Sequence, residues 1–138
     1  MKRKIIIIIS IVVALAIIAT SGYLIYNNKK VVSTILLDIN PSVKITLNKK
    51  DKVLNIIALN DDAKKIVSKD LKGKKIENVI EKITENIIKE GFAQDEDIII
   101  LLNVKGKFDS NNAKKIIEEK FEDKKIEPNI IIQKANNE

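Results

Sequence analysis

From Ile5 to Tyr26 the chain runs 22 residues without a charge, broken only by the small or polar Ser10, Thr20, Ser21 and Gly22. At the α-helical rise of ~1.5 Å per residue that run covers roughly 33 Å, about one bilayer hydrocarbon core. Lys2, Arg3 and Lys4 precede it, and the positive-inside rule sets that end in the cytoplasm. Lys29 and Lys30 on the far side weaken the bias without reversing it, and Tyr23 and Tyr26 fall where an interfacial aromatic belt would lie. The expected organisation is a cytoplasmic stub at 1–4, a single transmembrane helix at 5–26 in the cell membrane, and an extracytoplasmic domain at 27–138. A cleaved signal peptide is the alternative, with Ile5 to Ile18 as its apolar region and Ala19-Thr20-Ser21 as a small-x-small cut site. Against it, apolar character resumes at Tyr23-Leu24-Ile25, past that site. Both readings put residues 27–138 outside the cytoplasm.

The exported part is too short for two domains. The formal charge of +6 overstates its basicity, because no acid occurs before Asp38. Residues 27–138 carry 22 basic and 19 acidic groups with the signs interspersed, which is a solvated surface rather than a nucleic-acid footprint. Aromatic residues are 4% of the chain, so stacking platforms for single strands are lacking too. Cysteine and histidine are absent. That excludes disulfides, thiolate nucleophiles, Ser-His-Asp catalysis and imidazole or thiolate metal sites within this chain. Asp61-Asp62 and Asp95-Glu96-Asp97 lack the ordered spacing of a calcium loop and read as a helix start and a solvated turn. No metal or cofactor is expected, and no turnover enzyme.

The hydrophobic pattern gives one α+β domain. Val31–Ile39, Val43–Leu47 and Val53–Leu59 alternate as strands, with a polar turn at 48–52 between the last two, and suggest an antiparallel meander. Asn60 is placed to cap a short helix whose first turn holds Asp61 and Asp62, with Ala63, Ile66 and Val67 on its apolar side. After a break at Gly73, Ile76, Val79, Ile80, Ile83, Ile87 and Ile88 form one helical stripe that Gly91 closes. The continuous apolar run in "DIIILLNVKG", 97–106, predicts a central strand covered on both faces. A helix over 109–121, with Ala113, Ile116, Ile117 and Phe121 inward, and a strand over 129–133 complete the domain, and 134–138 read as a frayed tail. The fold expected is a mostly antiparallel sheet of about five strands with two or three helices on one face.

"LLDINPSVKI", 36–45, carries the chemistry. Asn40 precedes Pro41, and proline has no backbone N–H, so the usual attack of the next nitrogen on an asparagine side chain is closed. The reverse attack remains. The Asn40 carboxamide nitrogen can attack its own backbone carbonyl, form a succinimide and expel Pro41 as a new N-terminus. An X-Pro bond is a tertiary amide with a reduced trans preference, and each ~12° of twist in ω costs about 1 kcal/mol, so folding strain at this turn would favour scission. Asp38, two residues upstream on one strand face, is placed to accept a hydrogen bond from the Asn40 amide or draw off a proton, and Ser42 to steady the oxyanion. The plainer alternative is a tight turn with Asp38 and Ser42 capping backbone groups.

The stretch 33–66 resembles the juxtamembrane extracytoplasmic domain of RsgI-type anti-sigma factors of Gram-positive, spore-forming bacteria. The shared features are Asp-Ile-Asn-Pro-Ser between alternating strands, an Asn-Lys turn, Val-x-x-Ile, and Ala-Leu-Asn-Asp-Asp opening a helix. "LKGKKIENVIEKITENIIKEGF", 71–92, continues it, and the similarity covers roughly 31–133. The resemblance implies a SEA-like module that cleaves itself once between Asn40 and Pro41. Fragment 1–40 stays bound to 41–138 until loss of the outer part lets an intramembrane protease cut the anchor and free a sigma factor inside the cell. Family members carry a cytoplasmic anti-sigma domain before the anchor, whereas only Met1 to Lys4 precede it here. Sigma-factor binding is therefore assigned to no residue, and three alternatives stand: a separately encoded cytoplasmic anti-sigma or sigma partner, an anti-sigma domain encoded upstream of Met1, or a reduced relative of the family. Ile35, Leu36, Leu37 and Ile39 would hold the cut strand at ~1.5–3 kcal/mol each when fully buried. The alternative is an uncleaved, membrane-tethered interaction module of the same fold.

Overall fold

A computed structural model describes residues 1–94 and 98–135. The acidic turn 95–97 and the last three residues of the expected tail lie outside the described residues. The chain divides into two units, Met1–Lys30 and Val31–Glu138. The first is one helix, α1 (Lys2–Lys29), of 28 residues, with mean hydropathy 2.8 across its most apolar 18-residue window and no buried residue. At ~1.5 Å per residue it is about 42 Å long, sufficient in length and composition to cross a membrane.

In the second unit β1 (Ser33–Asp38), β2 (Ser42–Leu47) and β3 (Val53–Ala58) form the expected meander. There follow α2 (Ala63–Ile66), a 3-10 turn at Lys69–Leu71, α3 (Ile76–Lys89), β4 (Ile99–Gly106), α4 (Ser110–Glu122) and β5 (Asn129–Ala135). The sheet order is β3-β2-β1-β4-β5, antiparallel except for the parallel β4–β5 pair. β1 is therefore the middle strand, hydrogen-bonded along its whole length to β2 on one side and β4 on the other.

Period-2 alternation gives the sheet one apolar face: Ile35, Leu37, Val43, Ile45, Leu47, Ile56, Ile100, Leu102 and Val104 are buried. The helical stripes cover it. Ile76, Val79, Ile80, Ile83 and Ile87 of α3 join Ala113, Ile117 and Phe121 of α4 in the same core, and Ala63 and Ile66 of α2 close one end. Ile88 and Ile116, expected inward, are half-buried at the margin. Asn48 turns β2 into β3 by accepting the Lys50 and Lys52 N–H groups at 2.9 and 3.0 Å.

Four expectations are corrected. β4 is interior to the sheet but covered on one face only: Ile100, Leu102 and Val104 are buried while Ile99 is 58% exposed. An apolar run without alternation does not distinguish a strand covered twice from one whose second face is apolar and open. β1 stops at Asp38 rather than Ile39, because Asn40 has left strand geometry. α2 is a single turn beginning at Ala63, so Asp61 and Asp62 precede it and pair with Lys64 and Lys65 three residues on. β5 runs to Ala135, two residues beyond the strand expected.

Candidate functional site

Three residues, Ile39 to Pro41, join Asp38 at the end of β1 to Ser42 at the start of β2, and those two ends are register partners. Opposite residues in an antiparallel pair share a face, so their side chains meet: Ser42 Oγ donates to Asp38 Oδ1 at 2.6 Å. The same carboxylate oxygen accepts the Asn40 backbone N–H at 3.3 Å, and the Ile39 N–H donates to the Pro41 carbonyl at 3.1 Å. The chain turns through Asn40 at φ 56°. The left-handed region costs an L-residue roughly 1–2 kcal/mol, and asparagine bears it better than most. The ring of Pro41 restricts Asn40 further, since proline favours extended backbone in the residue before it. Strain at this turn is thus visible in φ of Asn40, next to a trans Asn40–Pro41 bond. Asn40 is exposed, Pro41 buried, and Asp38 and Ser42 half-buried.

A fifth residue completes the site. Asn60, two residues past β3, accepts the Ala63 N–H at 2.9 Å and the Ser42 N–H at 3.3 Å through Oδ1, and donates from Nδ2 to Asn40 Oδ1 at 3.1 Å. Two backbone donors on one atom identify it as the oxygen, which makes the other the amide nitrogen. The Asn40 atom facing that nitrogen must accept, so it is Oδ1, and Asn40 Nδ2 is turned away from Asn60. Among the described residues no acceptor holds Asn40 Nδ2.

All four residues expected from the sequence converge here, with two differences in bonding. Asp38 accepts the backbone N–H of Asn40, not its side-chain amide, because Asn40 lies in the turn rather than on the strand face. The Ser42 hydroxyl is engaged on Asp38. Asn60 was legible only as a helix cap. The signal for its second role lay in the meander: with Val43 opposite Ala58, antiparallel counting brings position 60 opposite Pro41.

A groove of 550 Å³ between α3 and α4, lined in part by Lys82, Glu85, Asn86, Lys89, Lys120 and Lys124, shares no residue with the turn. Lys120 bridges Glu81 at 2.5 Å and Glu85 at 3.2 Å, which raises its own pKa and lowers that of Glu85. Among the described residues no group of three or more carboxylates is placed to hold a metal ion.

An α+β domain with a strained Asn-Pro turn at the end of its middle strand, carried behind an apolar helix, defines the class of protein. Residues 32–138 match the family model described as the anti-sigma factor RsgI-like central domain, and the chain belongs to that family. It is 30% identical over 122 residues to the anti-sigma-I factor RsgI7 of Acetivibrio thermocellus, a match covering 88% of this chain and 22% of that protein. It is 27% identical over 101 residues to the anti-sigma-I factor RsgI of Bacillus subtilis strain 168, covering 72% of this chain and 26% of that one. The chain thus spans about a quarter of the length of these curated relatives.

Proposed function

We propose that the chain is a single-pass membrane protein whose extracytoplasmic domain cuts itself once between Asn40 and Pro41, as part of signalling across the membrane to a sigma factor. Asn40 Nδ2 attacks the Asn40 backbone carbonyl carbon, and the C–N bond to Pro41 breaks. The proton shed by Nδ2 passes, by way of the Asp38 carboxylate or water, to the Pro41 nitrogen, which leaves as a secondary amine. Residues 1–40 then end in a cyclic imide that water opens later. No histidine, cysteine or metal is needed, and each residue acts once.

The observation that carries this proposal is Asn40 itself: a left-handed residue before proline, its side-chain oxygen held and its side-chain nitrogen free of acceptors among the described residues. Strain of this size lowers the barrier by a modest amount, and orientation of the nucleophile supplies the larger part. The place of β1 suits a relay. After scission, 1–40 would stay bound through the middle strand, with Ile35 and Leu37 in the core and pairing on both sides. Pulling that strand out would release 41–138 and present the anchor to an intramembrane protease. The name of both curated relatives, anti-sigma-I factor, supports a sigma factor as the intracellular end of the route.

A denaturing gel of the purified full chain over days tests the proposal. Wild type is expected to give two bands that co-purify under native conditions, and Asn40→Ala one intact band. A wild type that stays whole would leave an uncleaved membrane-tethered interaction module.

A further inference from the structure

The geometry points to Asn60 as a positioning residue for the Asn40–Pro41 scission, an inference that rests on the self-cleavage proposed above. Three bonds run from this one side chain: to Ala63 at the start of α2, to Ser42 on the leaving side of the bond, and to Asn40 on the attacking side. The first two fix the carboxamide on the fold. The third transfers that fixity to the nucleophile, because a held Oδ1 leaves Nδ2 one direction in which to lie. A hydrogen bond donated to an amide oxygen also draws electron density from the nitrogen and makes its protons easier to lose, which an amide nucleophile requires. Asn60 touches no reacting atom through its own chemistry and is changed by nothing in the step.

Cap and donor can be separated. Asn60→Asp keeps an oxygen for the Ala63 and Ser42 N–H groups, and aspartate caps helices as well as asparagine does. It loses the donor and sets a carboxylate oxygen against Asn40 Oδ1. In full chain held in detergent, Asn60→Asp is expected to slow the appearance of fragments by about tenfold or more. Its urea midpoint, measured in an Asn40→Ala background, should stay at the value of its parent. As pH falls through the carboxylate range the introduced group becomes neutral and regains an O–H donor, so the wild-type to variant rate ratio should shrink. Asp38, Asp61 and Asp62, the neighbouring carboxylates, are present in both chains, so the ratio reports the group introduced at position 60. Asn60→Gly, tolerated at helix starts, removes the donor without adding charge and is expected to slow scission to a similar extent at neutral pH. Variants that cut at the wild-type rate beside a wild type that cuts overturn the assignment of Asn60 alone. A wild type that never cuts overturns the self-cleavage proposal, and the assignment with it.

Discussion

Leu37 decides how firmly the middle strand is held. It is 2% exposed, one residue before the turn, in register with Val43 on one side and Leu102 on the other, both fully buried. Leu37→Ala removes three carbons where neither flanking strand can collapse into the gap, since each is itself paired. Leucine-to-alanine changes in such sites cost ~2–5 kcal/mol, roughly 30-fold to several thousand-fold in the unfolding constant. Leu36, the next residue along, faces the other side of the sheet and is half-buried. Full burial of leucine contributes ~1.5–3 kcal/mol, so Leu36→Ala should cost about 1 kcal/mol. The comparison is made on residues 27–138 in an Asn40→Ala background, so that the chain stays continuous and urea unfolding can be read as two-state. The same pair in the self-cleaving background should differ in how fast 1–40 leaves 41–138, Leu37→Ala releasing much sooner. Equal midpoint shifts from the two variants would refute the one-sided core on which retention of β1 depends.

Gly106 at the end of β4 sits at φ 106°, and an added Cβ would lie 2.3 Å from the Val32 carbonyl oxygen and 2.8 Å from Ser33 Cα. Both are backbone, so Gly106→Ala should lower stability by at least ~2 kcal/mol, read as a urea midpoint. Ser33 Oγ, 3% exposed as a residue, accepts the Lys107 and Phe108 N–H groups. Ser33→Ala strands both donors and should cost ~1–3 kcal/mol. Lys120 ties α4 to α3 with a pH signature. Hydrogen bonding to Lys120 holds Glu85 below its ordinary 4.5, so that stabilisation is whole above 4.5 and is lost as pH falls through the lower folded value. Hydrogen bonding to Glu81 and then Glu85 raises Lys120 above its ordinary 10.5, so its share is whole below 10.5 and is lost as pH rises through the higher folded value. The midpoint difference between wild type and Lys120→Ala should therefore be flat from ~pH 5 to ~pH 10 and shrink outside that window.

The elements were readable because isoleucine marks period so plainly here: alternation through Val43, Ile45 and Leu47, and a helical stripe from Ile76 to Ile87. Strand order was less so. Nothing within residues 33–38 says that β4, more than sixty residues later, will pair on its open side and make it the middle strand. The same limit governs the site. Asp38, Asn40, Pro41 and Ser42 are local and could be read from one motif, whereas Asn60 reaches the turn only through β2–β3 pairing, and its local signature as a cap masked the second role. The left-handed φ of Asn40 also redirected Asp38 from side chain to backbone, a conformational choice that strand alternation could not foresee.

The chemistry at Asn40 is tested most directly by intact mass spectrometry of the full chain soon after purification. If the Asn40 carboxamide cuts the bond, the chain yields a fragment beginning at Pro41 and a fragment 1–40 one water lighter than its free acid, gaining that water as the cyclic imide opens. A fragment 1–40 that carries the full water from the first time point, or a break anywhere else in the turn, would contradict it.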